Sequence, residues 1–265
     1  MTVPGAFESL IKRLPTDVGY LSRVVQGLLV HSEWLAAYGL DPRAYRSISR
    51  ATLPVSERLA ALLDTGRALD EARAPAARAV GTCRDFALML CCFLRTLGRP
   101  ARVRCGFASY FGDRWEDHWI CQYWDSLTNQ WLLADAQLDE VTRAACEVRF
   151  NPLDLQPEEF LTAGEAWRRC RAGTDSPDRF GNGTTKGLWF MAVDIVRDWY
   201  VVNDQETSAW DRWREATPGQ RLIPAAELAT LDALARDPEQ PISELMPPWL
   251  TGAPGAAVYS NSGAG

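Results

Sequence analysis

The stretch Gly81-Thr82-Cys83-Arg84-Asp85-Phe86-Ala87 places a cysteine immediately before a long apolar segment. Residues 84–97 are apolar nearly all round, which predicts a helix buried on most sides, and Gly98 and Pro100 supply a stop signal after it. In the first turn of a helix the backbone N–H groups lack partners within the helix, and the macrodipole is positive. Both favour thiolate over thiol, so Cys83 is the candidate nucleophile.

Three strand candidates follow this helix. Residues 102–107 alternate between arginines and apolar side chains, as a half-buried strand does. Residues 117–124 and 131–134 are two further candidates, separated by a turn-rich stretch. The predicted fold class is α+β, with a central helix that carries the cysteine at its N-terminus and packs on an antiparallel sheet.

The second and third strand candidates carry a histidine and an acid. The chain has 2 histidines, and His118 is the one in a strand-like segment that leads to an acidic residue, Asp135. If the connecting loop has an even number of residues, paired positions sum to an odd number, so His118 and Asp135 project from the same face. A four-residue loop at 125–128 or its neighbour would place them opposite or diagonal, whereas an odd loop or a bulge would break the argument. The carboxylate would then fix the tautomer of the imidazole and steady the imidazolium.

These residues resemble the transglutaminase-like superfamily of cysteine enzymes. The stretch 81–87 resembles its nucleophile motif, and residues 94–102 resemble the helix-to-strand passage that follows. His118-Trp119 resembles its histidine strand, and residues 131–135 resemble its aspartate strand. The resemblance covers residues 80–139 and implies a Cys83, His118, Asp135 triad on a papain-like core, with no metal or organic cofactor. It places no additional oxyanion donor on a residue of this chain.

The resemblance leaves the reaction open within one acyl-thioester chemistry. Cys83 would attack an amide or thioester carbonyl, His118 would protonate the leaving group, and water or an amine would release the acyl group. The expected partner is therefore an amide- or acyl-bearing substrate, which is a peptide, a protein or a small molecule. The alternatives are an amine-accepting, amide-forming acyltransferase in a biosynthetic pathway and a non-catalytic binding module on the same fold. Iodoacetamide reactivity of Cys83 discriminates the enzyme from the binding module.

Composition limits the classes of binding partner and the cellular compartment that we expect. The net charge of -6 and the pI of about 5.1 argue against nucleic-acid and anionic-membrane partners. The 7 cysteines lie in apolar stretches without disulfide-like spacing, and the first residues lack the pattern of an export signal. We therefore expect reduced thiols, a cytoplasmic location and no membrane span. The sequence gives no indication of the oligomeric state.

The remaining chain is predicted to be largely helical. Residues 18–38 and 55–71 form helices before the cysteine, within a catalytic core at residues 1–150. Residues 157–171, 189–203 and 225–236 form helices without recurring strands, in an extension at residues 151–250 that packs on the core. Its tryptophans are expected to pack in a core rather than to line a substrate cleft. Residues 251–265 are rich in small residues and predict a disordered tail.

Several other chemical groups receive structural interpretations. His31, on the first predicted helix, is left out of the site as a helix-surface or core histidine. The acidic group Asp113, Glu116 and Asp117 is interpreted as a solvated loop rather than a cation site. Residues 181–187 have the residue types of a phosphate loop, but their lysine follows the threonines, which favours a connector. Zinc at Cys83, His118 and Asp135 is weakly supported, because no paired ligands occur at short spacing.

Overall fold

The computed structural model describes residues 1–48, 53–64, 66–204 and 223–240. Within them the α-helices are α1 Glu8–Ile11, α2 Val18–Leu28, α3 Val55–Leu63, α4 Cys83–Thr96, α5 Glu140–Ala145, α6 Ala163–Arg171, α7 Leu188–Val202 and α8 Ala225–Arg236. The strands are β1 Leu29–His31, β2 Ala79–Gly81, β3 Ala101–Ala108, β4 Trp115–Asp125, β5 Gln130–Ala134, β6 Phe160–Thr162, β7 Phe180–Asn182 and β8 Thr185–Lys186. Short 3-10 helices cover Gly5–Phe7, Leu35–Tyr38, Pro42–Tyr45, Pro75–Ala77 and Pro177–Arg179.

The strands form two sheets. β1 and β2 are a parallel pair, and the larger sheet has the order β6-β3-β4-β7-β8 with β5 paired to β4. The β3–β6, β4–β5 and β7–β8 pairs are antiparallel, whereas β4 and β7 are parallel. The α+β class is therefore as predicted, but the prediction of an antiparallel sheet is wrong at the β4–β7 pair. A hairpin forces neighbouring strands to run in opposite directions, and β7 follows β4 through a connection far longer than a hairpin.

By its internal contacts the chain divides into two compact units, and the first comprises residues 1–103 and 119–156. Its core is built on α4, in which every residue from Phe86 to Leu94 is buried. Helices α2 and α3 pack against α4 through apolar stripes that include Leu21, Leu28 and Leu59. This packing places the N-terminus of α4, and Cys83 with it, on a rigid scaffold.

Two helices before the cysteine are shorter than their apolar periodicity predicts. The helix predicted over residues 18–38 ends at Leu28, because Leu29 is extended (φ -117, ψ 152) and begins β1. The helix predicted over residues 55–71 ends at Leu63, and Gly66 follows with a positive φ of 72. The first helix ends where the chain pairs with β2, and the second ends shortly before a glycine in a left-handed conformation. Apolar spacing alone predicts neither of these helix ends.

The second unit comprises residues 104–118 and the described residues from 157 onward. Its core contains α7, buried from Trp189 to Val201, together with aromatic side chains of β3, β4, α6 and β7. Trp167, Trp189 and Trp199 are buried in this core, as predicted, whereas Trp210 and Trp213 lie outside the described residues. The expectation of no strands after residue 150 is wrong, because β6, β7 and β8 occur there. These strands have two or three residues each, too few to show an alternating pattern.

Some predictions fall outside what the structure addresses. Residues 205–222 and 241–250 of the proposed extension and the predicted tail at 251–265 lie outside the described residues. The division into a core at 1–150 and an extension at 151–250 stays a prediction. Among the described residues, no helix is both long enough and apolar enough to cross a bilayer.

Candidate functional site

Cys83 is the first residue of α4. The preceding residue, Thr82, is extended (φ -115, ψ 172), so the chain turns into the helix at the cysteine itself. The thiol is half-buried and is not in a disulfide. Cys83 therefore occupies the first turn, where unsatisfied backbone N–H groups and the helix dipole favour a negatively charged sulfur.

The backbone around Cys83 is held by a carboxylate from the same turn. Asp85 Oδ2 accepts hydrogen bonds from the Thr82 backbone N–H at 2.7 Å and from the Thr82 hydroxyl at 3.2 Å. A Cβ atom at Gly81 would lie 3.0 Å from both Cβ and Oδ2 of Asp85, closer than side chains normally approach. Glycine at position 81 thus allows the carboxylate to fold back onto the turn, in the manner of a capping box.

Arg58 neutralises that carboxylate. Its Nη2 donates to Asp85 Oδ1 at 2.7 Å and its Nη1 donates to the Val80 carbonyl at 3.0 Å. Both side chains of the ion pair are buried, at 7% and 1% exposure. Arg58 therefore compensates a buried negative charge that lies only two residues after Cys83, in the same turn of α4.

Sequence reasoning missed Arg58, although its position on α3 carried a signal. Arg58 lies three residues after Val55 and four before Leu62, and both of those side chains belong to the buried stripe of the helix. A charged residue at a core-facing position is almost never left unpaired. The spacing thus indicated a buried partner without indicating which carboxylate it would be.

His118 is the last residue of the 104–118 segment of the second unit and is 2% exposed. Two aromatic rings from the loop between β3 and β4 lie edge-on to its imidazole. The ring centroids of Phe111 and Tyr110 are 4.9 Å and 6.0 Å from that of His118. This packing fixes the plane of the imidazole and keeps water away from two of its sides.

Asp135 follows the last residue of β5 and is 1% exposed. Its backbone N–H donates to the Pro152 carbonyl at 2.8 Å, and its Oδ1 accepts from the Gln137 N–H at 2.9 Å. The pKa of the Cys146 thiol is raised to about 11, mainly by burial and in smaller part by the negative charge of Asp135. The position of the carboxylate is therefore set by the backbone of the turn that follows β5.

The β4–β5 hairpin has the even loop that the parity argument requires. Asp125 pairs with Gln130 and Cys121 pairs with Ala134, so the loop consists of the four residues 126–129. Extended by one position past β5, this register places Asp135 opposite Ile120, which is two residues from His118 along β4. Cys83 and Asp135 belong to the first unit and His118 to the second, and the triad as a set remains a proposal.

His31 lies closer to the nucleophile motif than the sequence indicated. It ends β1 directly opposite Gly81 of β2, and its ring centroid is 6.5 Å from that of Phe86 on α4. Its Nδ1 accepts a hydrogen bond from the Glu33 N–H at 3.1 Å, which makes it part of a turn. Because the chain has 2 histidines, His31 is the natural control for His118.

Comparison with known families identifies the segment that carries Cys83, His118 and Asp135. Residues 45–136 match the family model of the transglutaminase-like superfamily. This segment is similar to that superfamily. The resemblance drawn from the sequence is thereby confirmed, and the transglutaminase-like segment contains Cys83, His118 and Asp135. No curated protein and no solved structure matched the chain.

A second cluster of ligand-type side chains lies in the second unit, outside the predicted triad. One ligand atom each of Cys105, Asp117 and Asp194 lies within 4.8 Å of the others. Burial, followed by the two carboxylates, raises the pKa of the Cys105 thiol well above its ordinary value, so the sulfur is protonated near neutral pH. Arg197 Nη1 lies 3.2 Å from Asp194 Oδ1 and supplies positive charge in the same buried place. As a metal ligand Cys105 would have to lose its proton, and Arg197 already pairs with one of the two carboxylates.

Proposed function

We propose that the protein is a thiol-dependent acyl-transfer enzyme in which Cys83 is the nucleophile, His118 the general acid and base, and Asp135 the residue that orients His118. The observation that carries the proposal is the position of Cys83 at the first turn of the buried helix α4, within the transglutaminase-like segment. The finer architecture belongs to the same proposal: a papain-like core at residues 1–150 with an extension at residues 151–250.

The proposed reaction proceeds through a thioester. The Cys83 thiolate attacks the carbonyl carbon of an amide or thioester, and a carbon–sulfur bond forms as the carbonyl oxygen becomes an oxyanion. The oxyanion collapses, the bond to the leaving group breaks, and the His118 imidazolium gives its proton to that group. Water or an amine then attacks the thioester while His118 takes its proton, which restores the thiolate and the imidazolium.

The first turn of α4 supports two parts of this reaction. Its N–H groups favour the thiolate before attack and can donate to the oxyanion afterwards. The hydrogen bonds among Thr82, Asp85 and Arg58 hold this turn in place before any substrate arrives. A site held in place in advance loses little energy to reorganisation in the transition state.

Strand geometry supports the pairing of His118 with Asp135. The hairpin register, continued by one position, puts Asp135 opposite Ile120, and side chains two residues apart on a strand share a face, which supports a common face for His118 and Asp135. The Arg84 guanidinium packs on the Trp119 ring, and these two residues are the chain neighbours of Cys83 and His118. Both features favour the assembly of the three side chains at one place.

The chain supplies a matched test of this proposal. Iodoacetamide labelling, mapped by mass spectrometry, is compared for the unaltered protein, His118→Gln and His31→Gln. We expect Cys83 to react faster than free cysteine at neutral pH, His118→Gln to slow that reaction and His31→Gln to leave it unchanged. A Cys83 rate no faster than that of free cysteine would contradict the enzymatic proposal and favour the binding module.

The acyl acceptor is decided by the product. The acyl adduct captured on Cys83 from a lysate identifies the donor by its mass, and turnover of that donor is then followed with and without a primary amine. We expect Cys83→Ala to abolish both adduct and turnover. Product derived only from water assigns a hydrolase, whereas product that contains the amine assigns an acyltransferase.

A further inference from the structure

The first unit contains a cavity of about 580 Å³. Its volume lies within the usual range of pockets that bind small molecules. Its lining includes residues 19–27 of α2, the start of α5 and residues 151–153. We call it the arginine cavity after its three cationic lining residues, Arg23, Arg78 and Arg143.

At one point of the arginine cavity the chain segment at residues 72–73 approaches α2 closely at a glycine. A Cβ atom at Gly27 would lie 3.0 Å from the Ala72 Cα, and the Gly27 carbonyl accepts a hydrogen bond from the Arg73 N–H at 3.0 Å. This contact holds the chain near Ala72 against α2, and both Gly27 and Ala72 line the cavity. The apolar side chains of Leu138 and Leu153 line the cavity between the charges.

The cations of the cavity exceed its anions, since three arginines face the two carboxylates of Asp139 and Glu140. Asp139 is already committed as the N-cap of α5. Its Oδ1 accepts from the Thr142 N–H at 3.0 Å, and its Oδ2 accepts from the Tyr38 hydroxyl at 2.7 Å. Asp139 Oδ2 is also 3.5 Å from Arg78 Nη1, a long contact for an ion pair.

Arg143, a lining residue of the cavity, has a buried donor atom that makes no hydrogen bond among the described residues. This donor is the guanidinium Nε. A buried donor without an acceptor is destabilising, and a guanidinium matches the two oxygens of a carboxylate or phosphate. The geometry at this place therefore suits an oxyanion.

We infer that the arginine cavity binds the carboxylate or phosphate group of a small molecule, whose apolar part contacts Leu138 and Leu153. This inference goes beyond the thioester proposal and does not depend on it. The cavity nevertheless adjoins backbone that holds two of the proposed catalytic residues. Pro152, in its wall, accepts the hydrogen bond of the Asp135 N–H, and Arg78 leads directly into β2 and the Cys83 turn.

The test uses the full-length chain with Cys83→Ala, so that binding is measured without the proposed chemistry. Calorimetry with inorganic phosphate and with glutarate separates the two sources of the oxyanion, and glutaramide serves as the uncharged control. We expect saturable binding of at least one anion, no binding of glutaramide, and a loss of about tenfold or more in affinity for Arg143→Gln. Arg149→Gln, an exposed arginine outside the cavity lining, should bind as the parent does.

A second variant, expected to tighten binding, keeps the inference testable if Arg143→Gln does not fold. Glu140 is an exposed residue of the cavity lining, and Glu140→Gln removes a repulsive charge while keeping the side-chain shape. We expect it to tighten binding of the anion about two- to fivefold. Absence of saturable binding by both anions at millimolar concentration, or equal affinity in Arg143→Gln and Arg149→Gln, would overturn the inference.

Discussion

The Arg84 guanidinium carbon lies 4.8 Å from the centroid of the Trp119 ring. Both side chains are buried, at 0% and 1% exposure, so this cation–π contact is shielded from water. It joins the first turn of α4 to the middle of β4 within the first unit. The contact therefore links the two elements that carry the proposed nucleophile and its base.

Weakening this contact should loosen the Cys83 turn. Trp119→Phe keeps an aromatic ring but reduces its volume and its attraction for the cation, and we expect a loss of about 1–3 kcal/mol in the free energy of unfolding. Trp131 is a matched control, because Arg102 lies 4.7 Å from its ring but the tryptophan is 38% exposed. Urea unfolding should show a smaller loss for Trp131→Phe, and equal losses would contradict a special role of the buried contact.

Gly81 should tolerate no side chain. In Gly81→Ala the new methyl group meets Asp85 at 3.0 Å, so either the carboxylate or β2 must move, at a cost of about 1–3 kcal/mol. Gly112→Ala is the control, since a Cβ atom there has nothing within 4 Å. Thermal unfolding gives the stability difference, and Cys83 alkylation should slow in Gly81→Ala alone. Unchanged alkylation would show that Asp85 does not hold the Cys83 turn.

The Arg58–Asp85 ion pair should behave as a buried unit. Arg58→Met leaves the Asp85 carboxylate buried and unpaired, and we expect a loss of about 3–5 kcal/mol in the free energy of unfolding. The double variant Arg58→Met, Asp85→Asn also removes the unpaired carboxylate charge of Asp85 and should recover part of that loss. Denaturant unfolding of the two single variants and the double variant measures the coupling. Additive losses would mean that the contact is not energetically important.

The other cysteines should remain unreactive towards alkylation at a pH at which Cys83 reacts. Burial raises the pKa of Cys170 to about 11, and it raises the pKa values of Cys105 and Cys121 well above the ordinary range. Because a raised pKa favours the thiol, roughly 0.1% of Cys170 is thiolate at about pH 8, and this fraction rises tenfold with each pH unit below the pKa. Alkylation mapped between neutral and strongly alkaline pH should show Cys83 first and Cys170 only at the alkaline end. Early labelling of Cys170 would contradict the assigned environments.

The sequence predicted those elements whose determinants are local. The apolar run after Cys83 gave the helix over 84–97, and α4 spans Cys83–Thr96. The turn residues between β4 and β5 predicted a turn there, and the loop at 126–129 meets the condition of an even length. In each case a few neighbouring residues settle both the periodicity and the boundary.

The sequence failed where a distant partner decides the structure. Leu29 to His31 continue a helical spacing, yet they form β1 because β2 offers them a parallel ladder. Asp85 lies in the first turn of α4, and only tertiary packing brings Arg58 to it. The arginine cavity was also out of reach, because its walls come from segments spread between residues 19 and 153.

The parallel pairing of β1 with β2 joins two segments that are synthesised at different times. His31 emerges from the ribosome fifty residues (81 minus 31) ahead of Gly81, its ladder partner. Closing so long a loop costs chain entropy before any hydrogen bond of the ladder repays it. The β1–β2 ladder that precedes the Cys83 turn therefore cannot form until the whole segment between residues 31 and 81 has been synthesised.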